Sequence, residues 1–188
     1  MTERKFKPYN EAGTRWMIRR DIEPVLAIET ASFEFPWSEE DFLAALQQRA
    51  IIGMVSLDTD TMASMGEDPD DIIHGYMIYQ LHKDHFRILN LAVDPKKRRL
   101  RAAAGMVKEL IRKLSTQRRT HIITEVRAAN LDAHLFFKSV GFFATRVAYN
   151  CYDDCDDDAY VMEYHHKPLK SEFIPVNRIA SKGVRDGN

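Results

Sequence analysis

Between Lys96 and Arg101, five of the six side chains are cationic: Lys96, Lys97, Arg98, Arg99 and Arg101. The run follows an apolar stretch that ends at Asp94-Pro95 and precedes an amphipathic one that opens with Ala102-Ala103-Ala104. Strand, tight turn and helix start is the arrangement that aims several backbone N–H groups at one anion. The helix macrodipole disfavours each cation at a helix N-terminus by about 0.3 to 1 kcal/mol, and a bound anion reverses that sign. A pyrophosphate meets the charge, and three small alanines let backbone approach it. A solvated basic edge is the competing explanation. Nucleic acid is the competing anion, but it would want a larger basic surface with exposed aromatics.

A second residue with chemical potential is Glu125. Alternation along His121 to Val126 puts Ile123, Glu125 and Arg127 on one strand face and Ile122, Thr124 and Val126 on the other. A carboxylate flanked by Ile123 is then half-buried, which suits a general base as well as an ordinary strand charge. Cys151 and Cys155 have a spacing that fits neither a disulfide framework nor the usual zinc pairing, so reduced thiols are expected. His82, His85, His165 and His166 likewise show neither the spacing nor the carboxylate companions of a metal site in the sequence.

These residues must be held by a scaffold, and the patterning supplies one. Alternation from Trp16 to Arg19 marks a first strand, and Ile22, Val25, Leu26 and Ile28 form a helical face with Pro24 in its first turn. Ser38 and Asp41 form an N-cap pattern for a second helix running to about Gln48. Residues 51 to 57, 72 to 81 and 86 to 93 read as buried strands, and the acid-rich segment from Asp58 to Asp71 as a solvated loop. Residues 98 to about 116 form the clearest helix, with Met106, Val107, Leu110 and Leu114 at helical spacing. A strand at His121 to Val126, a helix from Leu131 to Val140 closed by Gly141, and strands at 142 to 152 and 159 to 164 complete the set. Residues 1–14 read as a flexible segment, 15–166 as one domain and 167–188 as a tail.

A chain of 188 residues with 45% apolar and 29% charged side chains is ordinary for a globular protein. A net charge of −1 excludes bulk attraction to nucleic acid or membrane and leaves electrostatics to local patches. No run is long and apolar enough for a membrane span or secretory signal, so a cytoplasmic location is expected.

Three sets of residues carry a resemblance. Asn90-Leu91-Ala92-Val93-Asp94-Pro95, with the basic turn and the helix after it, resembles the cofactor motif of the GNAT acetyltransferases. Glu125-Val126-Arg127-Ala128-Ala129-Asn130, then Ala133, Phe136 and Gly141-Phe142, resembles the next motif of that superfamily. Phe35-Pro36-Trp37-Ser38, Asn150 with Tyr152, and Asp157-Asp158-Ala159 with Met162 resemble its bacterial branch of ribosomal-protein alanine N-acetyltransferases. The similarity spans residues 15 to 165 or so and is gap-free from Leu89 to Met162.

The resemblance implies an α/β (α+β) GNAT fold: a mixed, mostly antiparallel sheet flanked by helices and splayed after Val93. Acetyl-CoA would enter the split against Leu91, Ala92 and Val93 and the turn Arg98, Arg99, Leu100, Arg101, Ala102, Ala103 and Ala104. Asn130 would meet its pantetheine or phosphate arm. Glu125 would be the general base, Trp37 and Tyr152 would line the substrate groove, and no metal is implied. The expected partner is a protein N-terminus, such as that of a basic ribosomal protein attracted by the acids between Asp153 and Asp158.

Two positions depart from the family pattern. Arg101 stands where the family's first turn glycine stands, so its side chain either crowds the pyrophosphate and strains the backbone or adds a guanidinium to it. Phe137 replaces the tyrosine that protonates the leaving thiolate, which predicts slow or specialised catalysis unless Tyr149 or Tyr152 substitutes. Acetylation of a small amine or a lysine side chain is a second reading. A non-catalytic acyl-CoA-binding module, which Arg101 and Phe137 together would favour, is a third.

Overall fold

The computed structural model describes residues 13–57, 73–98, 101–149 and 158–166. The strands are β1 (Thr14–Trp16), β2 (Ile51–Leu57), β3 (Ile73–Leu81), β4 (His85–Val93), β5 (His121–Arg127), β6 (Phe143–Ala148) and β7 (Ala159–His165). The helices are α1 (Ile22–Ser32), α2 (Glu39–Gln47), α3 (Ala102–Arg112) and α4 (Leu131–Ser139). One seven-stranded sheet runs in the order β1-β2-β3-β4-β5-β7-β6. Every neighbouring pair is antiparallel except β4 and β5.

Local chemistry accounts for the element ends. Ser38 caps α2 by accepting from the Asp41 N–H at 3.2 Å, while Asp41 Oδ2 accepts from the Ser38 N–H at 2.8 Å. Proline at 95 cannot continue the ladder, and Asp94 turns the chain by accepting from the Lys96 N–H at 2.9 Å. Gly141, at φ 95°, closes α4 in a conformation other side chains resist. The helix expected from residue 98 starts at Ala102, because Arg101 adopts φ 64°, ψ 10° and so cannot belong to it. The first strand begins at Thr14, which is buried and pairs with Ser56 of β2, so residue 14 packs with the sheet.

Two cores lie on opposite faces of the sheet. Helices α1 and α2 cover Val55, Tyr76, Ile78 and Ala92. On the other face, α3 and α4 contribute Met106, Val107, Leu110 and Phe137 to a core with Tyr79, Phe86, Ile88, Ile122 and Val126. The change of face within β4 comes from a bulge. Tyr79 pairs with Ile88 but Ile78 pairs with Asn90, so Leu89 is an extra residue. Phe86 and Ile88 therefore join one core, and Ala92 joins the other. Residues 1–12, the acid-rich loop, Arg99, Leu100, Cys151, Tyr152, Cys155 and the tail from 167 lie outside the described residues.

Candidate active site

The parallel pair β4 and β5 stays together for only four register positions, from His85↔His121 to Ile88↔Thr124. Beyond them the strands run on unpaired with each other, β4 to Val93 and β5 to Arg127. Leu89, the bulged residue, and Glu125 are the first past the last pair, so bulge and split share one origin. In an antiparallel ladder, hydrogen-bonded and non-bonded pairs alternate. The Asp94 N–H bonds the His74 carbonyl at 2.8 Å, so the main-chain groups of Ala92 and Asn90 point to β3. Those of Leu91 and Val93 point the other way, into the split.

At the end of β4, the basic turn leads to an unusual helix start. Arg101 is the N-cap of α3, offers no side-chain cap, and no acid stands in the first turn. The N–H groups of Ala102, Ala103 and Ala104 therefore lack an intrahelical acceptor, and no described side chain caps them. Arg101 is also the only non-glycine residue with positive φ among the described residues. Uncapped donors beside the β4 edge form a set that suits a pyrophosphate with an extended amide-bearing arm, which is the shape of acetyl-CoA. Leu91, Val93, Arg98 and Ala102 to Ala104 would hold it. Asn130, by contrast, spends Oδ1 on capping α4 through the Ala133 N–H at 3.1 Å.

The left-handed conformation at Arg101 yields a measurable prediction. Such a backbone costs a non-glycine residue about 1 to 2 kcal/mol. Arg101→Gly should therefore raise thermal stability by a net of up to about 1 kcal/mol, after glycine's greater unfolded-state entropy is subtracted. Calorimetry checks the stability, and acetyl-CoA titration of both proteins checks the site. Failure of both to bind would remove the cofactor from this turn.

Glu125 sits on the β5 face opposite Val126, half-exposed, with its side chain at 29% exposure. Arg87 Nη2 donates to its Oε2 at 2.7 Å, across the last paired stretch of β4 and β5. Arg87 was not legible as a site residue: its strand position says it leaves the Phe86–Ile88 face, not which strand it meets. The contact fixes one carboxylate oxygen and leaves Oε1 for an amine or a water. Arg87→Ala is expected to lower kcat about 10-fold with little change in KM, by loosening that orientation. Arg87→Lys should recover part of the loss, and an unchanged kcat in Arg87→Ala would show that Glu125 needs no such partner.

The loop between α1 and α2 overhangs this face. Phe35, about half exposed, lies under the Arg127 guanidinium at 5.5 Å. Trp37 is half-buried, edge-on to Phe42 at 5.3 Å, so it packs against the core. Its backbone N–H donates at 2.8 Å to Glu29 Oε1. Glu29 is buried and also accepts from Asn90 Nδ2 at 3.0 Å and from the Tyr76 hydroxyl. Burial, and then the Glu29 charge, push the Tyr76 phenol well above its usual range, so it stays a donor. This carboxylate links the overhanging loop to β3 and β4, and no local motif announces it.

Phe137 is buried, 5.1 Å ring to ring from both Phe136 and Phe142. It has no proton to offer. Tyr149, at the end of β6, is 75% exposed.

The Acetyltransferase (GNAT) family matches residues 10–142. The [ribosomal protein bS18]-alanine N-acetyltransferase of Salmonella typhimurium is 27% identical over 144 residues, covering 76% of this chain and 89% of that protein. Among solved structures, the Escherichia coli ribosomal-protein-S18-alanine N-acetyltransferase superposes with a TM-score of 0.66 at 23% identity, covering 85% of this chain and 97% of that one. Arabidopsis thaliana NAA60 in complex with acetyl-CoA superposes with a TM-score of 0.67 at 18% identity, covering 81% and 97%.

Proposed function

The chain belongs to the GNAT family of acetyltransferases and uses acetyl-CoA, and from that premise we propose that its acceptor is the N-terminal α-amine of a protein, of the kind a basic ribosomal protein presents. The observation that carries this reading is Glu125 at the apex of the split, on the face overhung by Phe35 and Trp37. A chain terminus can enter under such a loop, and its ammonium, with pKa near 7.7 to 8.0, is within reach of a carboxylate base at neutral pH. Relatives named for action on the N-terminal alanine of bS18 support the same acceptor class.

Acetyl-CoA supplies an activated thioester carbonyl for the amine to attack. Glu125 takes the amine proton, with Arg87 holding its other oxygen. The Val93 N–H, aimed into the split, is the donor suited to negative charge developing on that carbonyl. With phenylalanine at 137, the CoA sulfur leaves as the thiolate without a tyrosine proton, which a thiol pKa near 8.5 tolerates. The Phe35 and Trp37 wall also favours a peptide over a small free amine. Tyr152 is proposed as a further wall of the groove on the family resemblance.

Thiol release from acetyl-CoA, measured with peptides that have free or blocked N-termini, tests the proposal. Release is expected only with free N-termini, and mass spectrometry should place the acetyl group on the α-amine. Modification of an internal lysine alone, or binding without turnover, would overturn it in favour of a lysine acetyltransferase or a non-catalytic module.

A further inference from the structure

At the end of the sheet remote from the basic turn, strand register stacks a row of imidazoles. His85 on β4 pairs with His121 on β5, and His121 pairs with His165 on β7. Their rings lie 5.1 Å apart at 21° and 5.1 Å apart at 9°, close to the strand spacing of about 4.8 Å. His82, in the β3–β4 hairpin, stacks on His85 at 4.2 Å. Asp84, in the same hairpin, places Oδ1 2.8 Å from His85 Nδ1. One ligand atom from each of Asp84, His85 and His121 lies within 4.8 Å of the other two, the only such trio among the described residues.

We propose that Asp84, His85 and His121 form a binding site for a divalent transition-metal ion of the zinc, nickel or copper class, completed by water. The donor set decides the class. Two imidazoles and one carboxylate suit these ions, whereas calcium and magnesium require several hard oxygen ligands. Lys83, Arg118 and Arg119 line a cavity beside Asp84 and repel every divalent cation alike, so the two imidazoles must supply the affinity. Arg119 is held in place by its Nε, which donates to the His82 carbonyl at 2.7 Å.

The backbone already holds the trio. The Thr120 N–H bonds the Asp84 carbonyl at 2.9 Å, and the His82 N–H bonds the His85 carbonyl at 3.0 Å, tying the hairpin to the start of β5. Tetrahedral coordination at about 2.0 to 2.1 Å brings ligand atoms to about 3.3 Å of one another. Rotating each ring about χ2, a broad and inexpensive torsion, tilts the stacked nitrogens toward a common point. Thr120 Oγ1, 3.1 Å from His121 Nδ1, is the kind of partner that orients a ligand imidazole. Acetyl transfer needs no metal. This site is separate from the split and would clasp β4 to β5 where they still pair.

The test is calorimetric titration of the full chain with Zn²⁺, beside Co²⁺ absorption spectroscopy. One ion per chain should bind in the micromolar range or tighter, with a cobalt spectrum of nitrogen and oxygen ligation and no thiolate charge-transfer band. His121→Ala and Asp84→Asn should each weaken binding at least 10-fold. Asp84 is exposed, so its variant separates ligand loss from misfolding. Absence of binding, binding unchanged in both variants, or a thiolate band pointing to Cys151 and Cys155 would overturn the proposal.

Discussion

Glu125→Gln is expected to lower kcat/KM for N-terminal peptides by about 10²- to 10⁴-fold, the range a positioned general base contributes. The amide is isosteric and cannot accept a proton from an ammonium. The fold should be indifferent to the change. The Arg87–Glu125 pair is partly exposed on both sides, and such pairs contribute up to about 1 kcal/mol. Thermal unfolding of the variant should therefore match the parent within a few degrees, which separates lost chemistry from lost structure. Acetyl-CoA binding should persist, since its proposed contacts lie on β4 and α3. If the Gln variant keeps full activity across the neutral range, the proton leaves by a route that does not involve this residue.

The largest stability effect is expected from Glu29→Ala. Its carboxylate gathers the Tyr76 hydroxyl, the Asn90 amide and the Trp37 N–H in a dry layer between α1 and the sheet. Alanine would strand the Asn90 amide and the Trp37 N–H, leave the Tyr76 hydroxyl with Asn90 Oδ1 at 3.0 Å as its acceptor, and open a cavity. Unsatisfied neutral donors at about 1 to 3 kcal/mol each, together with the cavity, cost about 3 to 5 kcal/mol in all. For a chain of this size, that lowers Tm by about 6 to 20 °C. Glu29→Gln keeps an acceptor oxygen and should lose less. Because Glu29 tethers the Trp37 loop, peptide KM should rise in Glu29→Gln while acetyl-CoA affinity holds. Equal Tm values for parent and alanine variant would mean that water replaces the carboxylate and the cluster carries little energy.

The likeness between sequence expectation and structure is strongest where physics is local. The Ser38–Asp41 cap, the strand break at Asp94-Pro95 and the stop at Gly141 depend on neighbours a few residues away, and each lies where it was expected. Strand β2 spans the expected residues 51 to 57, and the burial alternation of β5 follows the predicted faces. Arg101 is an intermediate case. The motif flagged a side chain where backbone strain was expected, and the backbone does take the left-handed conformation.

The sequence by itself determined most of the strands and helices and that Glu125 shares a face with Ile123 and Arg127. These follow from periodicity, capping and chain stiffness within one element. It set the first strand at Trp16 to Arg19, where β1 is Thr14–Trp16, and the helix start at 98, where α3 begins at Ala102. Tertiary structure alone decided what crosses between elements. The bulge at Leu89 sends the two halves of β4 into different cores and opens the split beside Glu125, because one extra residue reverses every later side chain. It also chose Arg87 as the partner of Glu125, assembled Glu29, Tyr76 and Asn90 from distant segments, and brought Asp84, His85 and His121 together. Register between strands far apart in the chain is set by the best joint burial of both faces, and that optimum is a property of the whole sheet.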